Sequence, residues 1–175
     1  AAEGKEDIIL LTIGTGVGGA AISDGRLLRG HIGRAGHFGH ISLDPFGEPD
    51  VCQTPGSLED AIGDCTVEKR SGGRFTRTKE LVDAHLAGDE QASETWLRSV
   101  RCLAAGIASL INALDPEVIL LGGGIANARE ALLEPLNSFL NDMEWRPDDN
   151  RVEIRIVELG EWAGAIGALH HGMIS

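Results

Sequence analysis

The sequence has few cysteines. Cys52, Cys65 and Cys102 are the only three among 175 residues, and their odd number and unrelated spacings match neither a disulfide framework nor a paired-cysteine metal motif. The simplest interpretation is three free thiols in a reducing cytoplasm.

Basic residues are scarce too. The chain has 15 lysines and arginines against 27 aspartates and glutamates, which gives a formal net charge of −12. Because proteins hold nucleic-acid backbones with clustered Lys and Arg, this balance argues against a nucleic-acid partner for this chain. The basic residues of stretch 68–79 have acids on both sides, so we expect a solvated loop and helix start there rather than a nucleic-acid patch.

Long apolar runs are also missing. No run approaches the length that spans a bilayer, and residues 1–5 lack the layout of a signal peptide. We therefore expect a cytoplasmic protein with no membrane partner. The composition is that of a globular protein, with 42% hydrophobic and 24% charged residues. Its length suits one domain with a real core.

Glycine, in contrast, is abundant and clusters at two places. An apolar run over residues 8–11 leads into the glycine-rich stretch 12–19, which predicts two strands joined by a tight turn. A second apolar strand ends in three glycines at 122–124 and opens a helix. Glycine turns let backbone N–H groups approach an anion closely, so the pair indicates a split nucleotide site. Tight turns with small residues for packing are the structural alternative.

The remaining periodicities predict an alternation of strands and helices. From 30 to 56, glycines and prolines forbid a long regular element, and a loop of that length is usually functional or disordered. A proline at 135 is expected to end or kink its helix. Predicted strands lie at 8–13, 19–23, 26–29, 118–121 and 152–157, and predicted helices at 58–65, 79–87 with Thr78 as N-cap, 90–114, 125–139 and 163–173.

Several motifs stand in a characteristic order along the chain, at residues 12–19, 24–30, 33–40, 56–59, 115–124 and 164–168. Together they resemble the ROK family of bacterial sugar kinases and regulators, within the actin-like ATPase superfamily. The resemblance spans almost the entire chain. It implies an α/β fold, the ribonuclease-H-like C-terminal lobe of an actin-like ATPase with a mixed sheet flanked by helices. Residues 1–175 are then expected to be a single domain, with the family's N-terminal lobe absent from this chain.

The resemblance also implies a function. The parent protein is expected to be an ATP-dependent, glucokinase-like hexose kinase, and this chain its sugar- and nucleotide-binding lobe. In the family the general base is an aspartate of the N-terminal lobe, so no catalytic residue is assigned here and the isolated chain is expected to be inactive. A sugar-sensing transcriptional regulator of the same family and a non-catalytic sugar-binding protein stay open as alternatives. A homodimer is expected, since family members are often dimers.

Site residues follow from the same resemblance. Gly14, Thr15 and Gly16, with Gly18 beside them, correspond to a phosphate loop that touches the terminal phosphates of ATP, which would bind with Mg²⁺. The second glycine cluster corresponds to the adenosine side of the site. For the sugar, His40 and Glu59 correspond to contact residues. Their structural alternatives are a satisfied core imidazole and an acid favoured by a helix N-terminus. The second cluster consists of Gly122, Gly123 and Gly124.

Two departures from the family pattern are visible. His37 stands where the family usually has a glutamate, which is expected to change which sugar hydroxyls are held. Many members also bind structural zinc through the histidine at the position of His40 and three cysteines. Here the cysteine positions hold Asp50, Cys52 and Ser57. Because structural zinc needs about four strong N or S ligands, we predict no structural zinc and no other metal site.

Overall fold

A mixed five-stranded sheet forms the centre of the fold. The computed structural model describes residues 2–157, so the helix predicted over 163–173 lies outside the described residues. The strand order is β3-β2-β1-β4-β5, with β2 antiparallel to β1 and both β4 and β5 parallel to their neighbours. The strands are β1 Ile8–Ile13, β2 Val17–Ser23, β3 Arg26–Leu27, β4 Val118–Gly122 and β5 Glu153–Ile156.

The inner strands carry the apolar side chains of the sheet. In β1, Ile9, Leu11 and Ile13 are at most 1% exposed and alternate with residues of the opposite face. In β4, Val118 and Ile119 are both fully buried although they point to opposite faces. A strand paired on both sides and covered on both faces needs such a continuous apolar run.

Within residues 2–157, five α-helices and four short 3-10 segments accompany the sheet. The 3-10 segments are Phe38–His40, Asp64–Thr66, Ile125–Ala128 and Pro147–Asp149. The helices are α1 Leu58–Ile62, α2 Val67–Arg70, α3 Thr78–Leu86, α4 Glu90–Leu114 and α5 Glu130–Met143. The first residue of α3 is Thr78 itself and its N-cap is Arg77, one position earlier than predicted.

The bounds of α4 agree with the prediction, and its ends explain why. The Asp89 carboxylate caps the start by accepting the Ala92 N–H at 2.8 Å. At the other end Asp115 adopts the left-handed conformation, with φ of 45°, and Pro116 follows. A helix does not continue through such a residue, least of all before a proline.

The length of α4 corrects one expectation. With 25 residues it is long and apolar enough to cross a membrane by length and composition alone. However, half of its most apolar stretch is buried inside the protein. Trp96, Leu103 and Ile107 are fully buried in the hydrophobic core, together with residues of β1, β4, α1, α3 and α5. This burial is that of a core helix.

The helix α1 is shorter than the predicted 58–65. Gly63 has an extended backbone, with ψ of 151°, and stops the helix after Ile62. The next two N–H groups turn away from α1, since Asp64 donates to the Gly14 carbonyl and Cys65 to the Thr15 carbonyl, each at 2.9 Å. The helix therefore ends where these donors are drawn to the turn between β1 and β2.

The helix α5 starts later and runs further than the predicted 125–139. Residues 125–128 form a 3-10 segment, and Pro135 lies inside α5 without ending it. A proline has no N–H for the carbonyl four residues back, which here belongs to Ala131. That carbonyl accepts the indole N–H of Trp96 at 2.9 Å instead. The core thus supplies the hydrogen bond that the proline removes.

Candidate functional site

The two glycine clusters leave the sheet at the same edge. Because β1 and β4 are parallel neighbours, with Thr12 opposite Gly122, the turn after each strand begins at its carboxyl end. Ligands of α/β proteins bind at this edge of the sheet. The topology therefore brings residues 14–16 and 123–124 together from opposite ends of the sequence.

The turn between β1 and β2 presents two backbone donors. Within it the Gly14 N–H donates to the Gly16 carbonyl at 2.9 Å, and the carbonyls of Gly14 and Thr15 accept from Asp64 and Cys65. The N–H groups of Thr15 and Gly16 have no partner within residues 2–157. The residues after α1 thus take up the carbonyls of the turn and leave its N–H groups for an anion.

Glu59 lies beneath this turn. Its Oε2 accepts the Val17 N–H at 2.9 Å, across 42 positions of sequence. A methyl group on Gly16 would collide with the Glu59 carboxylate, 2.9 Å from its Cδ. The close approach of Glu59 to the backbone therefore requires glycine at 16. This contact was not visible in the sequence, which marked the glycine and the glutamate separately.

Two adjoining cavities surround the turn. The smaller, about 420 Å³, lies against the turn and Glu59, and the larger, about 710 Å³, extends from Gly14 and Thr15 to α3 and the 3-10 segment 125–128. The smaller cavity is lined by Thr12, Gly14, Thr15, Gly16, Val17, Gly18, Glu59 and Gly123.

The larger cavity has walls that sequence reasoning did not identify. Val82 and Leu86 of α3 line it together with Ile125, and Leu86 is 68% exposed. Arg77 and Lys79, also in the wall, are 74% and 83% exposed in their side chains. An exposed leucine late in a helix has no sequence signal that separates it from ordinary helix surface. Only the fold brings these residues together.

The three glycines at the end of β4, of which Gly122 is the last residue of the strand, have different surroundings. A Cβ on Gly122 would lie 3.0 Å from Val157 Cγ2, so this residue lines neither cavity and packs beside β5. Gly123 has φ of +88°, and a Cβ would lie 2.8 Å from the Ile13 carbonyl carbon. At Gly124 nothing lies within 4 Å, and the residue lines the larger cavity. The fold demands glycine at 123 and leaves open space at 124.

The predicted sugar residues lie beside β2. His40 ends the 3-10 segment Phe38–His40, which packs so closely on β2 that a Cβ on Gly39 would lie 3.0 Å from the Val17 carbonyl carbon. The Ile41 carbonyl accepts the Leu58 N–H at 2.9 Å, which ties His40 to the helix that carries Glu59. Within residues 2–157, the walls of the two cavities include Glu59 but neither predicted histidine.

The two histidines differ in their environment. His37 is exposed and its Nδ1 lies 2.8 Å from the Arg34 carbonyl. His40 is half-buried, and its ring stacks on that of His37 with 6.5 Å between centroids. The Nδ1 of His40 lies 2.7 Å from Asp50 Oδ2, and its Nε2 lies 3.4 Å from Cys52 Sγ.

Asp50 has a buried carboxylate with several donors around it. Burial acts to raise its pKa, but the hydrogen bonds from His40, Thr54, Ser57 and Cys52 outweigh burial and lower the pKa to about 2. The ligand atoms of His40, Asp50 and Cys52 lie within 4.8 Å of one another, so these three residues could hold a metal ion. The sequence marked Asp50 only as a missing cysteine and did not show this cluster, and the absence of structural zinc stays a prediction.

A mixed sheet with a glycine-rich turn and two adjoining cavities at the carboxyl ends of its strands is an architecture of the α/β class. The sequence model of the ROK family matches residues 1–171. The chain therefore belongs to the ROK family, as its motifs predicted.

Individual relatives are sugar kinases. A glucokinase of Halalkalibacterium halodurans is 32% identical over 185 residues, which cover 95% of this chain and 56% of the relative. An N-acetylmannosamine kinase of Vibrio cholerae is 37% identical over 133 residues, 75% of this chain and 46% of the relative. Both relatives are named as sugar kinases, and their names differ in the sugar.

A solved structure confirms the fold class. The crystal structure of a ROK family glucokinase from Streptomyces griseus, in complex with glucose and AMPPNP, matches with a TM-score of 0.83 at 28% identity. The match covers 98% of this chain and 62% of that chain. The mixed sheet with its helices is thus that of ROK kinases, with the actin-like fold. The chain spans little more than half the length of the glucokinases it resembles.

Proposed function

We propose that this chain is the sugar- and nucleotide-binding lobe of an ATP-dependent hexose kinase. The observation that carries the proposal is the turn between β1 and β2. Its Thr15 and Gly16 N–H groups have no partner among the described residues, and the turn lines a cavity together with Gly123. Phosphoryl transfer depends mainly on positioning and on stabilising charge, which such backbone donors supply. The relative from Streptomyces griseus binds AMPPNP, and this supports ATP as the donor.

The nucleotide would extend from the turn into the larger cavity. Val82, Leu86 and Ile125 offer apolar surface for a base, and the open position at Gly124 leaves room beside it. Arg77 and Lys79 lie in the same wall, paired with Asp64 at 3.8 Å and Asp83 at 2.6 Å, and their exposed side chains could turn to a phosphorylated ligand. Mg²⁺ would enter with the phosphates and neutralise part of their charge.

The sugar would lie on the other side of the turn, near Glu59 and His40. Glu59 Oε2 is held by the Val17 N–H, which fixes the carboxylate beside the phosphate position. Hydrogen bonds from fixed polar groups reject analogues that lack a hydroxyl, so His37, His40 and Glu59 are proposed to select the sugar. The glucokinase and N-acetylmannosamine kinase relatives make glucose and N-acetylmannosamine the two substrates to test.

The general base is proposed to lie in a part of the protein outside this chain. No residue of the chain is therefore given that role, and the isolated chain is expected to be inactive. A cytoplasmic homodimer, completed by the N-terminal lobe of the family, is the proposed working form.

The experiment is a coupled assay of ATP-dependent phosphorylation. The full protein that contains this chain is expected to phosphorylate glucose or N-acetylmannosamine, and residues 1–175 alone neither. A full protein that binds one of these sugars but consumes no ATP would contradict the kinase proposal and favour the non-catalytic sugar-binding alternative, which the histidine at 37 motivates.

A further inference from the structure

The donors around His40 do not fit the tetrahedral metal site of the family. Such a site needs about four strong N or S ligands. His40 Nε2 and Cys52 Sγ, 3.4 Å apart, are two. The fourth position of the family pattern, Ser57, offers a hydroxyl that already accepts the Asp60 N–H at 3.2 Å as the N-cap of α1. Within residues 2–157 the cluster therefore contains two strong ligands and one carboxylate.

The Asp50 carboxylate is already fully engaged. Its side chain is 0% exposed. Oδ2 pairs with His40 Nδ1 at 2.7 Å, and Oδ1 accepts the N–H groups of Cys52 at 2.8 Å and Thr54 at 2.9 Å. The Ser57 side chain is a fourth hydrogen-bond partner of this carboxylate. A carboxylate has about four acceptor positions, so a metal would have to displace one of these four partners.

These bonds close the loop that runs from His40 to Ser57. The Asp50 N–H also donates to the Thr54 carbonyl at 2.9 Å, and isolated bridges join Pro49 to Pro55 and Ser42 to Ser57. The carboxylate thus links the 3-10 segment that carries His40 to the far side of the loop. A bound metal provides the same kind of cross-link in a metal-stabilised loop.

We propose that the buried Asp50 carboxylate takes the place of a structural metal in this chain. It closes the loop around residues 40–57 through hydrogen bonds, and it holds the His40 ring by its Nδ1, so that Asp50 is a positioning residue for His40. These contacts do not depend on whether the protein is a sugar kinase.

The first test compares metal content and stability. Purified protein is expected to contain no stoichiometric zinc, and a chelator is expected to leave its Tm unchanged. Asp50→Asn keeps the shape but loses the charged bond to His40, and should lower the Tm by about 5–10 °C. The matched control is Glu48→Gln, an exposed carboxylate of the same loop, which should leave the Tm unchanged. One zinc per chain, or a Tm that falls with chelator, would overturn the proposal.

A spectroscopic test reads the bond between Asp50 and His40 directly in the wild-type protein, so its main result does not depend on the stability of a variant. In wild-type protein, NMR of the histidine side chains should show one strongly downfield Nδ1 proton, bonded to a carboxylate and insensitive to chelator. His40→Gln should remove that signal and His37→Gln should not. As a positive control for metal detection, the double variant Asp50→Cys, Ser57→Cys should bind zinc stoichiometrically, because it supplies four N and S ligands. A wild-type spectrum without the downfield proton would contradict the role given to Asp50.

Discussion

At the scale of single residues, the glycines of the site fall into two groups. The fold itself requires Gly16, beneath which Glu59 lies, and Gly123, whose φ is +88°. Gly14 and Gly124 have nothing within 4 Å of a Cβ, yet both line the larger cavity. The packing of the described residues therefore does not require glycine at these two positions, and under the proposed function the space would be taken by the nucleotide.

This difference predicts opposite behaviour for two neighbours. Gly123→Ala should destabilise the protein by at least about 1–2 kcal/mol, because its φ is unfavourable for an L-residue and Ile13 is in the way. Gly124→Val should leave the free energy of unfolding within about 0.5 kcal/mol but weaken Mg-ATP binding about tenfold or more. Urea unfolding and calorimetric titration measure the two quantities. Unchanged nucleotide affinity in Gly124→Val would show that the open space is not used.

The sequence was sufficient to find these glycines but not their partners. A glycine cluster after an apolar strand is a local pattern, and both clusters were recognised. The Val17–Glu59 hydrogen bond and the Leu86 wall depend on residues far apart in sequence, and no periodicity encodes them. Asp50 was noted only for what it replaces, since its burial and four donors exist only in the folded loop.

At the scale of elements, a hydrogen bond between α4 and α5 allows Pro135 to lie inside α5. Pro135 was expected to end or kink its helix, and it does not end it. The fully buried Trp96 of α4 donates to the Ala131 carbonyl that the proline leaves without an intrahelical partner. A single sequence shows the proline but not the indole 39 positions earlier that compensates for it.

A double-mutant cycle tests this compensation. Trp96→Phe should destabilise by roughly 2–4 kcal/mol, because it removes buried volume and leaves the Ala131 carbonyl without a donor. In a Pro135→Ala background the new backbone N–H at 135 can donate to that carbonyl, so Trp96→Phe should cost about 1 kcal/mol less. Urea unfolding of the four proteins gives the coupling. Equal costs in both backgrounds would refute the compensation.

Helix ends show a similar division between local and distant causes. The ends of α4 were predicted correctly because Asp89, Asp115 and Pro116 are local signals. The early end of α1 was missed because the N–H groups of Asp64 and Cys65 bond to the turn at Gly14 and Thr15, some 50 residues away. The end of α4 was therefore predictable because its stop signal is local in the sequence. The end of α1 was not, because another element accepts hydrogen bonds from the backbone N–H groups that would have continued the helix.

At the scale of the whole molecule, the parallel pairing of β1 and β4 unites the site. It places a turn with two free N–H groups next to Gly123 and Gly124, with Glu59 below and α3 alongside. The chain spans little more than half the length of its glucokinase relatives. The nucleotide contacts proposed above lie within residues 2–157, whereas the proposed catalytic base lies outside this chain.

The most direct test of this account is an NMR titration of the chain with Mg-ATP, which follows each backbone amide. The account predicts that the amide signals of Thr15, Gly16 and Gly124 move most, because phosphates approach the first two and the nucleoside passes the third. A titration in which these three signals stay in place, while others move or none does, would contradict it.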